Sequence, residues 1–137
     1  MPRVACTVLV MLAISAASSA PAGEEGPESR FDIRTVSDLV RLCETVPEHM
    51  DGNAAPDTLF DMVACLAYLR GALAVYQSYQ HWNHVRVICI PDASTHGDQV
   101  TALLSWAAQD ERRRGEEAAL GLLNAMRYRF GCDQRAN

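Results

Sequence analysis

The residues of this chain that could carry out chemistry are five cysteines and four histidines. They are Cys6, Cys43, Cys65, Cys89 and Cys132, with His49, His81, His84 and His96. The last four cysteines are widely spaced and form no C-x-x-C pair, which disfavours zinc. His81 and His84 form H-x-x-H, a weak metal spacing with no evident third ligand, so a solvated loop is the favoured interpretation. The sequence therefore predicts no metal site.

Catalysis would need a nucleophile brought together with a base and a group that orients it. The sequence contains no G-x-S-x-G, S-x-x-K, H-E-x-x-H or glycine-rich phosphate loop, and each histidine lacks a motif neighbour. We therefore predict a protein that is not an enzyme, with no catalytic residues and no cofactor.

The N-terminus is typical of a secretory signal peptide over residues 1–22. Arg3 is followed by an apolar run over residues 4–14 and then by small residues, and Ala20 and Ala22 fit the cleavage rule. The apolar run is well short of the roughly 20 residues that span a bilayer, so we expect no stable membrane anchor. Cys6 precedes the apolar run, whereas a lipidated cysteine would follow it. The prediction is export to the periplasm.

Export decides how the remaining cysteines are interpreted. Removing the signal leaves Cys43, Cys65, Cys89 and Cys132, an even number in an oxidising compartment. Such a set predicts two disulfides, and the sequence leaves all three pairings open.

The charge balance excludes two classes of partner. The chain has 17 acidic residues against 12 arginines and no lysine, and loss of Arg3 with the signal leaves 17 against 11, near −6. This balance argues against nucleic acid and against an anionic membrane surface.

Local signals divide the mature chain into a leader and one domain. Residues 23–30 are rich in Gly, Pro and Glu and predict a disordered leader before a domain at residues 31–133. Thr35 and Asp38 resemble a capping box, and Pro47 and Pro56 mark a helix end and a helix start. The helices are predicted at about 36–46, 57–80, 97–110 and 116–130, with an extended segment near 85–90. The fold class is all-α, a small bundle of about four helices stapled by two disulfides.

The second predicted helix carries small residues among larger ones. They are Ala64, Ala67, Gly71 and Ala74. They favour close packing of a neighbouring helix over a ligand role, and they allow a homodimer as easily as a tight monomer. Trp82, in a predicted loop, must either enter the core or meet a partner.

Several motifs together resemble one family. They are F-x-x-x-T at residues 31–35, L-x-x-L-C at 39–43, C-x-x-Y-x-x-G at 65–71, C-I-P at 89–91 and F-x-C at 130–132. With the signal peptide and four ordered cysteines, the chain is similar to the Rap/Tai-type immunity proteins over about residues 31–133. The family consists of small exported helical proteins, often dimeric, that protect bacteria against peptidoglycan amidase effectors delivered by type VI secretion.

The resemblance implies inhibition by binding, with a loop inserted into the active-site cleft of the amidase. We expect residues 48–53, and secondarily residues 92–96, to supply the contact surface. The side chains named for this role are Glu48, His49, Asp51, Asn53, Asp92 and His96. With this fold in mind we predict the pairs Cys43–Cys89 and Cys65–Cys132, while Cys43–Cys65 is not excluded.

Two alternatives accompany this interpretation. One is a small periplasmic acid-stress chaperone, which would unfold partly at low pH and expose apolar surface. The other is an orphan exported helical protein that binds a different partner. Suppression of aggregation at acidic pH would favour the chaperone.

Overall fold

The computed structural model describes residues 31–132, which form four α-helices joined by short turns. The helices are α1 (Val36–Cys43), α2 (Pro56–Asn83), α3 (His96–Ala108) and α4 (Ala118–Phe130), with 3-10 turns at Val46–Glu48 and Glu111–Gly115. The all-α prediction is confirmed. The predicted signal peptide, the leader and residue 133 lie outside the described residues.

Two helices begin with the same reciprocal cap. The Thr35 hydroxyl accepts from the backbone N–H of Asp38 (3.3 Å), and the Asp38 carboxylate accepts from the backbone N–H of Thr35 (2.9 Å). Thr95 and Asp98 repeat this arrangement at the start of α3. The capping box predicted at Thr35 is confirmed, because each side chain satisfies a backbone donor that the first helical turn leaves unpaired.

The helix bounds differ from the predictions mainly around α1 and α2. α1 ends at Cys43 rather than near residue 46, and Pro47 lies inside the following 3-10 turn. α2 starts at Pro56 and continues to Asn83, where His84 adopts a left-handed conformation with φ 54°. The predicted extended segment forms only an isolated bridge between Ile88 and Gly131.

α1 is the centre of the core. It contacts α2, α3 and α4, and Val36, Leu39, Leu42 and Cys43 are fully buried. Its N-terminus is also tied to the start of α4, because Val36 N–H donates to Glu116 O and Ala118 N–H donates to Arg34 O, both at 2.9 Å. The shortest of the four helices described therefore contacts the three longer ones.

The disulfide pairing predicted from the sequence is wrong. The structure joins Cys43 to Cys65 and Cys89 to Cys132, with Cα–Cα distances of 5.2 and 4.9 Å. The reason is helix adjacency: α1 packs along α2, which brings the end of α1 beside Cys65. Cys89 instead runs beside the end of α4, where its N–H donates to Phe130 O (2.7 Å).

The Asp38 cap predicts a dependence of stability on pH. The N–H and hydroxyl of Thr35 donate to the Asp38 carboxylate and lower its pKa below the ordinary 3.8. A pKa lowered in the folded state stabilises the protein above the unfolded pKa, and this stabilisation is lost as pH falls through the folded pKa. We expect Asp38→Asn to lower the free energy of unfolding by about 1 kcal/mol near pH 7. The difference in this free energy between wild type and variant should become smaller below about pH 4.

Urea unfolding between pH 3 and pH 7 measures this gap. Asp92→Asn is the control, since it removes an equal charge from an exposed turn. A gap for Asp38→Asn that stays constant down to pH 3 would contradict the role of the ionised cap.

Candidate partner-binding surface

The loop between α1 and α2 contains four of the predicted contact residues in a defined backbone conformation. The Gly52 N–H donates to His49 O (3.0 Å), and the Asn53 N–H donates to the Asp51 carboxylate (3.1 Å). Gly52 has φ 81°, a left-handed conformation that glycine adopts without steric cost. Glu48, Asp51 and Asn53 are exposed, whereas His49 is half-buried. The loop therefore presents polar side chains from a hydrogen-bonded turn.

The disulfide Cys43–Cys65 closes this loop at its base. Cys43 is the last residue of α1, and Cys65 lies near the third turn of α2. Both cysteines are fully buried. The bridge therefore restrains the two helices that carry the loop, and this restraint lowers the entropic cost of ordering the loop against a partner.

The start of α3 lies beside the same loop. The methyl carbon of Met50 is 3.8 Å from the point where a Cβ on Gly97 would stand, so the loop contacts the first turn of α3. His96, the first residue of α3, is exposed at this end. The structure thus brings His96 together with residues 48–53.

Asp92 lies near His96 as well. The two residues line a cleft of about 360 Å³ against α2, together with Arg70 and Gln77. The structure therefore brings Asp92 together with His96.

Exposed carboxylates give this end of the molecule its charge. Glu48, Asp51 and Asp92 are all exposed, and Asp98 is a fourth acidic residue at the start of α3. The N–H and hydroxyl of Thr95 donate to Asp98 and lower its pKa, so this carboxylate serves as the helix cap. The other three carboxylates would suit a partner with basic groups.

The outer face of α2 is a second surface, which the sequence analysis did not identify. Only one side of this helix enters the core, through Met62, Cys65, Leu69 and Leu73. The opposite side exposes large apolar residues, with exposed fractions of 63% for Phe60, 64% for Val63, 72% for Val75, 59% for Tyr79 and 80% for Trp82. Trp82 therefore does not enter the core, whereas Trp106 is buried.

Of the small residues of α2, Ala67 and Gly71 lie on this outer face, whereas Ala64 is partly buried against the core. A Cβ added to Gly71 would have no atom within 4 Å, so no helix among residues 31–132 packs there. An apolar groove of about 680 Å³ runs beside Gly71 between α2 and α4, with Leu123 on its far wall. Within the described chain, the predicted close helix packing is therefore not found at Gly71.

α2 has a length and composition that a membrane span would also have. It is long and apolar enough to cross a bilayer, and 22% of its most apolar 18-residue window is buried. One such helix is weak support for a span, because core helices of soluble proteins meet the same criterion. In this protein one side of α2 packs in the core, and the Cys43–Cys65 disulfide joins the helix to α1.

Neither histidine nor cysteine forms a metal site in the part of the chain that the structure describes. No group of three His, Cys, Asp or Glu side chains is close enough to hold a metal ion within residues 31–132. His81 and His84 are both exposed, and the rings of His81 and Trp82 lie nearly perpendicular to each other with centroids 6.2 Å apart.

Comparison with known proteins gives one family match. The model of the family described as Rap1a immunity proteins matches residues 35–132, which is most of the chain and nearly all of the described part. Neither the search of the curated proteins nor that of the solved structures found a match.

Proposed function

Since the chain belongs to the Rap1a immunity protein family, we propose that it is a periplasmic inhibitor of a peptidoglycan amidase delivered by type VI secretion. The family match indicates an immunity protein that binds a secreted effector. The amidase as target, the periplasm as location and the mode of inhibition are our proposals. The two disulfides are consistent with an exported protein.

The observation that supports inhibition by a loop is the restrained turn at residues 48–53. A turn that is hydrogen-bonded internally and closed at its base by Cys43–Cys65 loses little conformational freedom on binding. In the proposed complex it enters the active-site cleft of the amidase and excludes substrate, while His96 contacts the rim. We also propose that the inhibitor is a homodimer.

Alanine at His49, Asp51 and Asn53 together is expected to weaken binding to the cognate amidase by roughly 30-fold or more, as for the loss of interface hot spots. Isothermal titration of the oxidised protein against the amidase measures the affinity. A zymogram of peptidoglycan digestion measures inhibition.

The control is a triple alanine variant at Gln109, Glu111 and Arg114, exposed residues beyond the opposite end of α3. Because the Asp51 carboxylate accepts a hydrogen bond within its own turn, Glu48→Gln is a second variant, which changes the charge without removing a backbone hydrogen bond of the turn. Unchanged affinity in the loop variants, with wild-type protein still inhibiting, would place the contact elsewhere. Absence of any inhibition by wild-type protein would overturn the proposed function.

A further inference from the structure

We propose that a groove between α2 and residues 86–96 binds an extended acidic peptide. Two clefts of about 590 and 360 Å³ lie side by side there, and they have four lining residues in common. The shared residues are Leu73, Gln77, Ile90 and Asp92. We call the combined cleft the glutamine groove, because Gln77, Gln80 and Gln99 line it. The proposal does not depend on inhibition of an amidase.

Gln99 is a buried amide in the wall of this groove. The residue is 8% exposed and lines the smaller cleft from α3. Within the part of the chain that the structure describes, its side chain makes no hydrogen bond with another group. Buried side-chain amides are hydrogen-bonded in most folded proteins, because an unpaired one is unfavourable. A peptide bond offers both the donor and the acceptor with which this amide would pair.

The extended segment before α3 turns one backbone edge toward the groove. The Cys89 N–H donates to Phe130 O (2.7 Å), so this group points to the end of α4. Neighbouring backbone groups of an extended chain point to opposite edges, and the Ile88 carbonyl accordingly accepts from Gln80 Nε2 on α2 (3.4 Å). A peptide that binds as an added strand pairs with such an edge. The groove therefore suits an extended ligand.

The length of the groove corresponds to about five extended residues. On α2, Arg70 lines the smaller cleft and His81 lines the larger one. The 11 positions from residue 70 to residue 81 extend roughly 16 Å along the helix axis. An extended chain rises about 3.3 Å per residue, so a segment of about five residues covers this distance.

The charged groups of the groove favour acidic side chains at both ends of that segment. Arg70 lines the smaller cleft, Arg86 lines the larger one, and Asp92 is the carboxylate in the part that the clefts share. Two arginines against one aspartate give +1, whereas the whole chain has a net charge of −5. Arginine donates paired hydrogen bonds to carboxylates, and Asp92 would accept from peptide N–H groups between the two arginines. A polyanion such as nucleic acid is disfavoured by the net charge of the chain.

The pentapeptide Glu-Gly-Ala-Gly-Glu, acetylated at its N-terminus and amidated at its C-terminus, tests the groove. Amide correlation spectra of the oxidised protein labelled with nitrogen-15 report the side-chain signals of Gln99. We expect these signals to shift on titration, with a dissociation constant of about 1 mM or below. The same peptide with glutamine in place of both glutamates should bind about tenfold more weakly, because it lacks the charges that the arginines would pair with.

Four variants assign the contacts. Arg70→Gln and Arg86→Gln should each raise the dissociation constant about fivefold, since each removes one charge pair with the peptide. Arg127→Gln is the matched control, because it removes the same charge from an exposed position of α4 outside the groove, and it should bind like wild type. Gln99→Met retains the size of the side chain without its amide, and it should weaken binding of the acidic peptide and of its neutral analogue alike.

Three results would overturn the proposal. They are Gln99 signals that stay fixed up to about 10 mM peptide, equal affinity for the neutral analogue, and a loss of affinity in Arg127→Gln as large as that in Arg70→Gln. The titration contains no amidase, so a protein that inhibits none would remove the proposed function and leave this groove standing. Added amidase identifies the source of the segment, because competition with the peptide assigns it to the effector and simultaneous binding assigns it to a different acidic peptide.

Discussion

Replacing Gly121 with alanine is expected to lower the free energy of unfolding by about 3 kcal/mol, although the same change in an open helix position usually stabilises. A Cβ on Gly121 would overlap Cγ2 of Val36 and lie 3.6 Å from Cζ3 of Trp106. Val36 is fully buried and, being β-branched, has few alternative rotamers. The overlap therefore has to be relieved by moving α1 away from α4.

That movement is opposed by hydrogen bonds at the ends of the two helices. Val36 N–H donates to Glu116 O, and Ala118 N–H donates to Arg34 O. Both bonds span the contact between the start of α1 and the start of α4. Separating the helices at Gly121 would strain or break them, so the overlap cannot relax cheaply.

Urea unfolding of Gly121→Ala measures the effect, and Gly115→Ala is the control because a Cβ there meets no atom within 4 Å. The double variant Gly121→Ala with Val36→Ala removes the overlapping methyl group. We expect it to be more stable than the sum of the two single changes predicts. Additive losses would show that Val36 is not the cause.

Local structure was predictable because its signals are contained in a few neighbouring residues. The Thr35 and Asp38 cap and the start of α2 at Pro56 follow from side chains that satisfy or lack specific backbone groups. The end of α1 was less predictable. A proline limits the residue before it, but it does not fix where an earlier turn changes from α to 3-10 geometry.

Features that depend on helix adjacency were not predictable. Four cysteines allow three pairings, and the choice follows from α1 packing along α2, which spacing does not reveal. Gly121 carries no sequence signal that separates it from Gly71, yet one is in tight contact and the other is open.

The outer face of α2 was missed for a related reason. Phe60, Val63, Val75 and Tyr79 make the helix apolar on two sides, and such a pattern is typical of a helix surrounded by its own chain. The structure buries only one side.

Loss of either disulfide is the second large effect that we expect, and the two bridges should differ in what they change. Cys43–Cys65 joins residues 22 apart, and Cys89–Cys132 joins residues 43 apart. In the chain-entropy account, closing these loops stabilises the fold by about 3 and about 4 kcal/mol. Replacing both cysteines of a pair with alanine should therefore lower the free energy of unfolding by about 3 kcal/mol for Cys43–Cys65 and by about 4 kcal/mol for Cys89–Cys132.

Urea unfolding gives the stability of each double alanine variant. Reduced wild-type protein is the control, since it loses both bridges without losing any sulfur atom from the core. A peptide map of the oxidised protein should show Cys43 linked to Cys65. A map showing Cys43 linked to Cys89 would contradict both the pairing and the loop lengths used here.

Loss of the two disulfides should also have different effects on the affinity for the partner. Cys43–Cys65 closes the loop that holds His49, Asp51 and Asn53, whereas Cys89–Cys132 fixes the chain against the end of α4. Where each variant is still folded, the loss of Cys43–Cys65 should weaken amidase binding more, because the loop then has to be ordered on binding. The loss of Cys89–Cys132 should cost more stability and less affinity. The opposite order would place the binding surface nearer to residues 87–92 than to the loop between α1 and α2.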